Sequence, residues 1–126
     1  SFLLIISSAI AFGLGAQAKP IKPEAARSLL QTNKNAILVD VRTLEEYVGG
    51  HIAGAILLPY DAINAVSATA ALGADKDREI ILYCRSGRRS SIAASTLVSL
   101  GYKKVYDLGA IQSWPYGTVK GQPPKR

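Results

Sequence analysis

The chain has 126 residues, a length that fits one domain and falls short of two. Apolar residues make up 48% and charged residues 19%, which suits a packed globular domain and argues against disorder. The formal charge is +6, and the single Cys and single His exclude an internal disulfide framework and argue strongly against a structural zinc site.

Every Lys, Arg, Asp and Glu lies after residue 18. Phe2 to Leu14 form an apolar run, FLLIISSAIAFGL, followed by Gly15-Ala16-Gln17-Ala18 and the first charge at Lys19. Small residues at Ala16 and Ala18 behind such a run read as the h-region and A-x-A cleavage site of a signal peptide. With no Met in the chain and no basic stretch ahead of the run, residues 1–18 are expected to be a signal peptide with a truncated n-region. A spanning anchor needs about 20 apolar residues, and this run is shorter and broken by Ser7 and Ser8. No Cys follows it to carry a lipid. Residues 19–126 are then expected to form one domain in an exported, oxidising compartment, most simply a periplasm, with no stable membrane insertion after cleavage.

Pro23-Glu24 opens a helical stretch, with Pro at a first-turn position and an acid beside it. Ala25, Ala26, Leu29 and Leu30 give its apolar face, and Asn33 to Asn35 end it. Ala36 to Val39 is a continuous apolar run of strand length, as in a strand covered on both faces. Thr43 caps a short helix with Glu46 closing a capping box, and Gly49-Gly50 stops it. Ala55 to Leu58 is the next strand, ended by Pro59. Asp61 to Leu72 reads as a helix with Ile63, Val66 and Ala70 on one face. Glu79 to Tyr83 is a second buried-type strand. Arg88 to Leu100 reads as a helix with Ile92, Ala93, Leu97 and Leu100 inward and Gly101 as its stop. Lys104 to Asp107 is a last strand, and Gly109 to Trp114 one more helical turn. The tail from Pro115 to Arg126, rich in Pro, Gly and Lys, is expected to pack poorly. This alternation predicts an α/β fold with a mainly parallel central sheet covered by helices on both faces.

Ligands in such folds bind beyond the C-terminal ends of the strands. Two strands end in chemistry. One runs into Asp40-Val41-Arg42, the other into Cys84-Arg85-Ser86-Gly87-Arg88-Arg89-Ser90. Parallel strands put both on one edge, so Asp40, Arg42 and Cys84 are expected to face a shared crevice. The Cys lies between a strand and a helix whose first N–H groups are unpaired and point outward, a natural anion cradle. Arg85, Arg88 and Arg89 at that helix end oppose its dipole. They are a local cost unless a negative group sits among them, and the Cys84 thiolate and an anionic substrate are two such groups. Nearby Arg and the helix end should lower the thiol pKa and make Cys84 a nucleophile rather than a buried structural Cys.

No phosphate-binding P-loop or dinucleotide fingerprint is present, and a lone Cys rules out C-x-x-C exchange. His51, in Gly50-His51-Ile52-Ala53-Gly54, reads as a hydrogen-bonded structural His rather than a general base. The positive charges are spread along the chain without interleaved aromatics, which excludes nucleic acid as the expected partner.

Taken in order, Asp40-Val41-Arg42 with Glu46-Tyr47, Gly50 to Ala55 with Pro59, and the Cys84 to Ser90 loop resemble the motifs of a single-domain rhodanese. The resemblance runs from about residue 21 to 114, with 115–126 as a basic tail. It implies thiosulfate sulfurtransferase activity through a Cys84 persulfide, with no metal or organic cofactor. It maps the anion-cradling loop onto Arg85, Ser86, Gly87, Arg88 and Arg89, and gives Asp40 and Arg42 a supporting role. The implied partners are thiosulfate as a small anionic sulfur donor and a thiol, cyanide or sulfur-accepting protein as acceptor. A phosphatase or arsenate reductase of this fold class resembles Cys-x5-Arg instead. Here Ser90 stands at that Arg position, Arg89 comes one residue earlier and Tyr83 precedes Cys84. The shorter loop suits a sulfur atom rather than a tetrahedral oxyanion. A module that only carries sulfur is the non-enzymatic alternative.

Overall fold

A computed structural model of the chain describes residues 17–125. Its five strands are β1 (Lys19–Pro20), β2 (Ile37–Asp40), β3 (Ile56–Leu57), β4 (Glu79–Cys84) and β5 (Lys104–Ala110). They form one sheet in the order β1-β5-β4-β2-β3, and every pairing is parallel. The α-helices among the described residues are α1 (Pro23–Thr32), α2 (Leu44–Gly49), α3 (Ala65–Leu72) and α4 (Arg88–Ser99).

Successive side chains of a strand point to opposite faces, and the core divides accordingly. On one face Val39, Ile80, Leu82, Cys84 and Val105 pack with Ala68 and Leu72 of α3 and Ala93, Ala94 and Leu97 of α4. On the other, Leu38, Ile81, Tyr83 and Leu108 pack with Ala26 of α1 and Tyr47 of α2. This double coverage is why β2 and β4 read as unbroken apolar runs rather than alternating ones.

Several boundaries differ from expectation for local reasons. Cys84 and Asp40 are the last residues of their strands rather than the first beyond them. The stretch from Asp61 splits into a 3-10 turn (Tyr60–Ala62) and α3. Asn64 fixes the start of α3, because its side chain accepts from the Val66 and Ser67 N–H groups and Ser67 closes the box in return. That rotates Ala68 and Leu72 inward and leaves Val66 81% exposed, with Ala70 exposed as well. In α1 the buried position is Ala26, while Ala25 is exposed.

Ile92 of α4 also faces out, because Ser90, Ala93, Ala94 and Leu97 form the buried stripe. Strand β5 runs three residues further than expected, through a register shift where Tyr83 pairs with Gly109. Gly109 has φ +81°, a bulge conformation that glycine adopts without strain. The helical turn expected after it is the 3-10 segment Ile111–Ser113. Strand β1 was not anticipated: two residues including a proline give no periodicity to read.

The tail is largely exposed, in line with the poor packing expected of it, but it is tied to the domain at a few points. His51 and Val119 exchange two backbone hydrogen bonds of 2.8 Å, and the Gly121 N–H donates to the Val48 carbonyl at 3.1 Å. Tyr116 lies under the Arg27 guanidinium at 4.3 Å and meets Trp114 edge to face. The expectation that residues 1–18 add no strand or helix to the core falls mostly on residues 1–16, outside the described ones. Ala18 is described, and it packs half-buried against the face that carries Cys84.

Candidate active site

Strand β4 brings Cys84 to the C-terminal edge of the sheet, and the chain turns over it through Arg85-Ser86-Gly87 into α4. Gly87 is the N-cap with φ +105°, a left-handed conformation that disfavours a side chain. That turn aims backbone donors back at the sulfur. The Gly87 N–H reaches Sγ at 3.0 Å and the Ser90 N–H at 3.3 Å. The thiol donates to Ser90 Oγ at 3.5 Å, and Ser90 Oγ donates to the Gly87 carbonyl at 3.1 Å. Once the sulfur is a thiolate, rotation of the Ser90 hydroxyl gives it a further donor.

Cys84 has no exposed surface. Burial, the largest influence, pushes its thiol pKa up. Hydrogen bonds from Ser90, Gly87 and Ser86 together outweigh burial and leave it below the ordinary thiol value. The helix-end half of the sequence argument therefore holds, while the arginines are not the main cause.

Arg89 does not project as a free cation over the loop. Its guanidinium makes a two-pronged ion pair with Glu46 of α2, Nη1 to Oε1 at 2.7 Å and Nη2 to Oε2 at 2.9 Å. Glu46 is already placed by Thr43, whose N–H and hydroxyl donate to Oε1. Arg89, ahead of opposing burial and the Thr43 bonds, holds Glu46 down at about 2. The pair joins α2 to α4 across the sheet edge, since the two helices cover opposite faces. The sequence places Glu46 in a capping box and in the first motif of the family resemblance, but gives it no partner on the Cys84 loop. The signal available was charge balance: an acid at the start of one helix, three arginines at the start of another, both on one edge. Arg85 and Arg88 are exposed, and neither has an ion-pair partner among the described residues.

Asp40 and Arg42 share that edge but not a crevice with Cys84. Asp40 lies opposite Tyr83 in the β2–β4 pairing. Its side chain is therefore on the Tyr83 face, while Cys84, one residue on, points to the other. Asp40 is fully buried and Arg42 nearly so. Arg42 donates to both carboxylate oxygens through Nε (3.0 and 3.1 Å) and through Nη2 (2.7 Å). The same Nη2 reaches the Gly50 carbonyl at 2.7 Å. This closed bracket fixes the 50–55 loop.

His51 is structural, as read from its setting. It stacks on Tyr47 at 3.7 Å, and its Nδ1 must carry the proton it donates to the Tyr47 carbonyl at 2.8 Å, since a carbonyl can only accept. Among the described residues no group of His, Cys, Asp and Glu is placed to hold a metal ion.

Comparison with known proteins points the same way. A family model described as "Rhodanese-like domain" matches residues 22–115. Thiosulfate sulfurtransferase GlpE of Pseudomonas fluorescens (strain SBW25) is 38% identical over 97 residues, covering 76% of this chain and 84% of that protein. Adenylyltransferase and sulfurtransferase UBA4 of Candida albicans is 32% identical over 99 residues; the match covers 75% of this chain but only 23% of that larger protein. The Alr3790 protein from Anabaena sp. superposes with a TM-score of 0.71 at 27% identity, over 80% of this chain and 82% of that one.

Proposed function

This chain belongs to the rhodanese-like family, and on that premise we propose that it is a thiosulfate sulfurtransferase working through a persulfide on Cys84. The observation that carries the reading is the buried sulfur at the floor of a loop whose N–H groups point at it. Relatives named sulfurtransferases support sulfur transfer as the general activity.

The Cys84 thiolate attacks the outer sulfur of thiosulfate. A Cys84 S–S bond forms, the sulfur–sulfur bond of thiosulfate breaks with its electron pair, and sulfite leaves. The negative charge passes to the outer sulfur of the persulfide. Backbone donors of the Arg85 to Arg89 segment and the positive end of α4 stabilise it there, as an oxyanion hole does for oxygen. Cyanide or a thiolate then attacks that outer sulfur, leaves as thiocyanate or a new persulfide, and returns the Cys84 thiolate. No electrons are gained or lost overall, so the steps require no metal or organic cofactor, and double displacement implies ping-pong kinetics.

The test is intact-mass measurement after thiosulfate treatment. A gain of one sulfur atom that cyanide reverses is the expected result; no gain, or a gain that cyanide leaves in place, overturns the reading. On the pattern of residues 1–18 we also propose export to the periplasm, which fractionation of cells expressing the full chain would check.

A further inference from the structure

We propose that cleavage after Ala18 does more than release the domain: the α-ammonium it creates on Lys19 forms an ion pair with Asp107 and fastens β1 to the sheet. This rests on the export reading given with the proposed function, and names what processing does to the fold. Among the described residues, Asp107 Oδ1 is the one buried side-chain oxygen or nitrogen without a hydrogen-bond partner. A buried acceptor left unpaired is a standing cost, and a larger one on a charged group. Asp107 lies opposite Leu82 in the β4–β5 pairing, so its side chain is on the face that α4 covers. There it lines a cavity of about 470 Å³ between α4 and β1, in which Lys19 and Asp107 are the only charged residues. Ser91 and Ser95 of α4 line the cavity too, and neither hydroxyl satisfies Oδ1.

The register shows which nitrogen can serve. Pro20 pairs with Asp107, and Lys19 with Tyr106. Paired residues of parallel strands share a face, so the Lys19 side chain follows Tyr106 to the far side of the sheet, where Tyr106 packs with the α1 face. The main-chain nitrogen of Lys19 stays in β1, one residue before the partner of Asp107. Ala18, on the other side of that nitrogen, packs half-buried on the α4 face and lines the same cavity. While Ala18 is attached, the nitrogen is an uncharged amide with a single N–H. Hydrolysis of the Ala18–Lys19 bond by a signal peptidase breaks the C–N bond and consumes one water. The hydroxyl goes to the Ala18 carbonyl carbon and the hydrogen to the Lys19 nitrogen. The proton of the new acid passes to the new amine, and nothing is oxidised or reduced. An ammonium has three donors, so it can keep a strand bond to β5 and turn another to Oδ1 through space that Ala18 has vacated. The pair ties β1, an edge strand of two residues, to β5, the neighbour of the strand that carries Cys84.

The test uses the processed protein recovered from the exported fraction. N-terminal sequencing locates the cut first, with Lys19 expected as the first residue. The N-terminal amine is then acylated with a small active ester across about pH 6.5–9.5, a range that brackets an ordinary α-amine. Modification is read on the N-terminal peptide by mass spectrometry. Only the free base reacts, and a carboxylate beside the amine favours the charged form. In the wild type the amine should titrate above its ordinary value of about 8. At about pH 7 it should react roughly tenfold more slowly than in Asp107→Asn, the change that one unit of pKa makes in the free base. Lys19→Ala keeps only the α-amine at that position and should react as slowly as the wild type. All rates are taken well below each protein's melting midpoint; should Asp107→Asn fail to fold, the wild-type titration decides alone. An amine that titrates at its ordinary value, or one that reacts fast in Lys19→Ala, overturns the pair and leaves the export reading standing. A first residue other than Lys19 overturns the cut after Ala18, and the pair with it.

Discussion

At the end of β2 the Asp40 and Arg42 charges are used inside the protein, whereas at the end of β4 the donors point at one sulfur atom and two of the three arginines, Arg85 and Arg88, face solvent. Asp40 and Arg42 are both buried and answer each other through a guanidinium fork. Nothing there is poised to react, because each partner already holds what a ligand would offer. Cys84 lies one residue further along the neighbouring strand, on the opposite face. Its helix end has N–H groups with no carbonyl to meet and arginines that oppose the dipole. Two strand ends on one edge thus divide the work: one is a closed bracket that fixes the neighbouring loop, the other an open cradle.

The largest expected effect breaks the open end alone. Cys84→Ser removes the only nucleophilic sulfur in the chain. It should abolish persulfide formation and turnover while leaving thermal stability nearly unchanged. Intact mass and a melting curve on the same sample check both halves.

Breaking the closed end should do the reverse. Asp40→Ala leaves the Arg42 charge buried without its partner, a loss of about 3–5 kcal/mol. Chemical denaturation should show it directly. Any fall in turnover should follow the fraction unfolded, because Asp40 is on the far face from the sulfur.

How legible this contrast was in sequence depends on what each end is made of. The order of strands and helices, the parallel sheet and the placement of Asp40 and Cys84 on one edge followed from apolar runs and turn residues. The Thr43–Glu46 box and the structural role of His51 were also readable, because they depend on neighbours within a few positions. Which face each side chain takes was not. It rests on Asp40 aligning with Tyr83 across the β2–β4 pair, and a one-residue change of register would reverse it. The Glu46–Arg89 pair joins positions 43 residues apart, and no local pattern reports a contact of that span. The docking of Val119 on His51 is long-range in the same way.

The Glu46–Arg89 pair gives a sharper test of the open end. Arg89→Ala strands a negative Glu46 near the sulfur and should raise the Cys84 thiol pKa. Glu46→Gln strands a positive Arg89 and should lower it. The two single variants should therefore move the thiol in opposite directions, since each leaves one unpaired charge of opposite sign beside it. The double variant should return close to the wild-type value, because the pair is neutral as a whole. A thiol titration followed by ultraviolet absorbance reads all four proteins. Shifts of the same sign in the two single variants would show that the pair acts by holding the loop's shape rather than by charge.

The same pair sets an acid window. Glu46 is held down at about 2 against an ordinary value of 4.5. A depressed carboxylate stabilises the fold above its unfolded pKa and loses that contribution as pH falls toward its folded one. The stability added by the pair should therefore be constant above about pH 5 and fade between that and pH 2. Glu46→Gln should flatten that part of the curve in a pH series of denaturation midpoints. Turnover runs on a different group. It should rise with pH as the Cys84 thiolate forms, with its midpoint below that of an ordinary thiol.

The smallest expected effect concerns the cations left open. Arg88 is exposed and has no ion-pair partner among the described residues, so in the proposed reaction it should act on thiosulfate through its field rather than through a fixed contact. Its attraction reaches about 10 Å at 0.1 M ionic strength and about 3 Å at 1 M. Arg88→Ala should therefore lower kcat/KM for thiosulfate about two- to fivefold at low salt, leave kcat nearly unchanged, and lose its effect as salt rises. Arg85→Ala should behave alike, and the two effects should multiply, since neither side chain holds the other in place. A loss that persists at high salt and appears in kcat would mean that Arg88 touches the reacting sulfur. In that case the open end of β4 is as tightly organised around its substrate as the closed end of β2 is around Asp40.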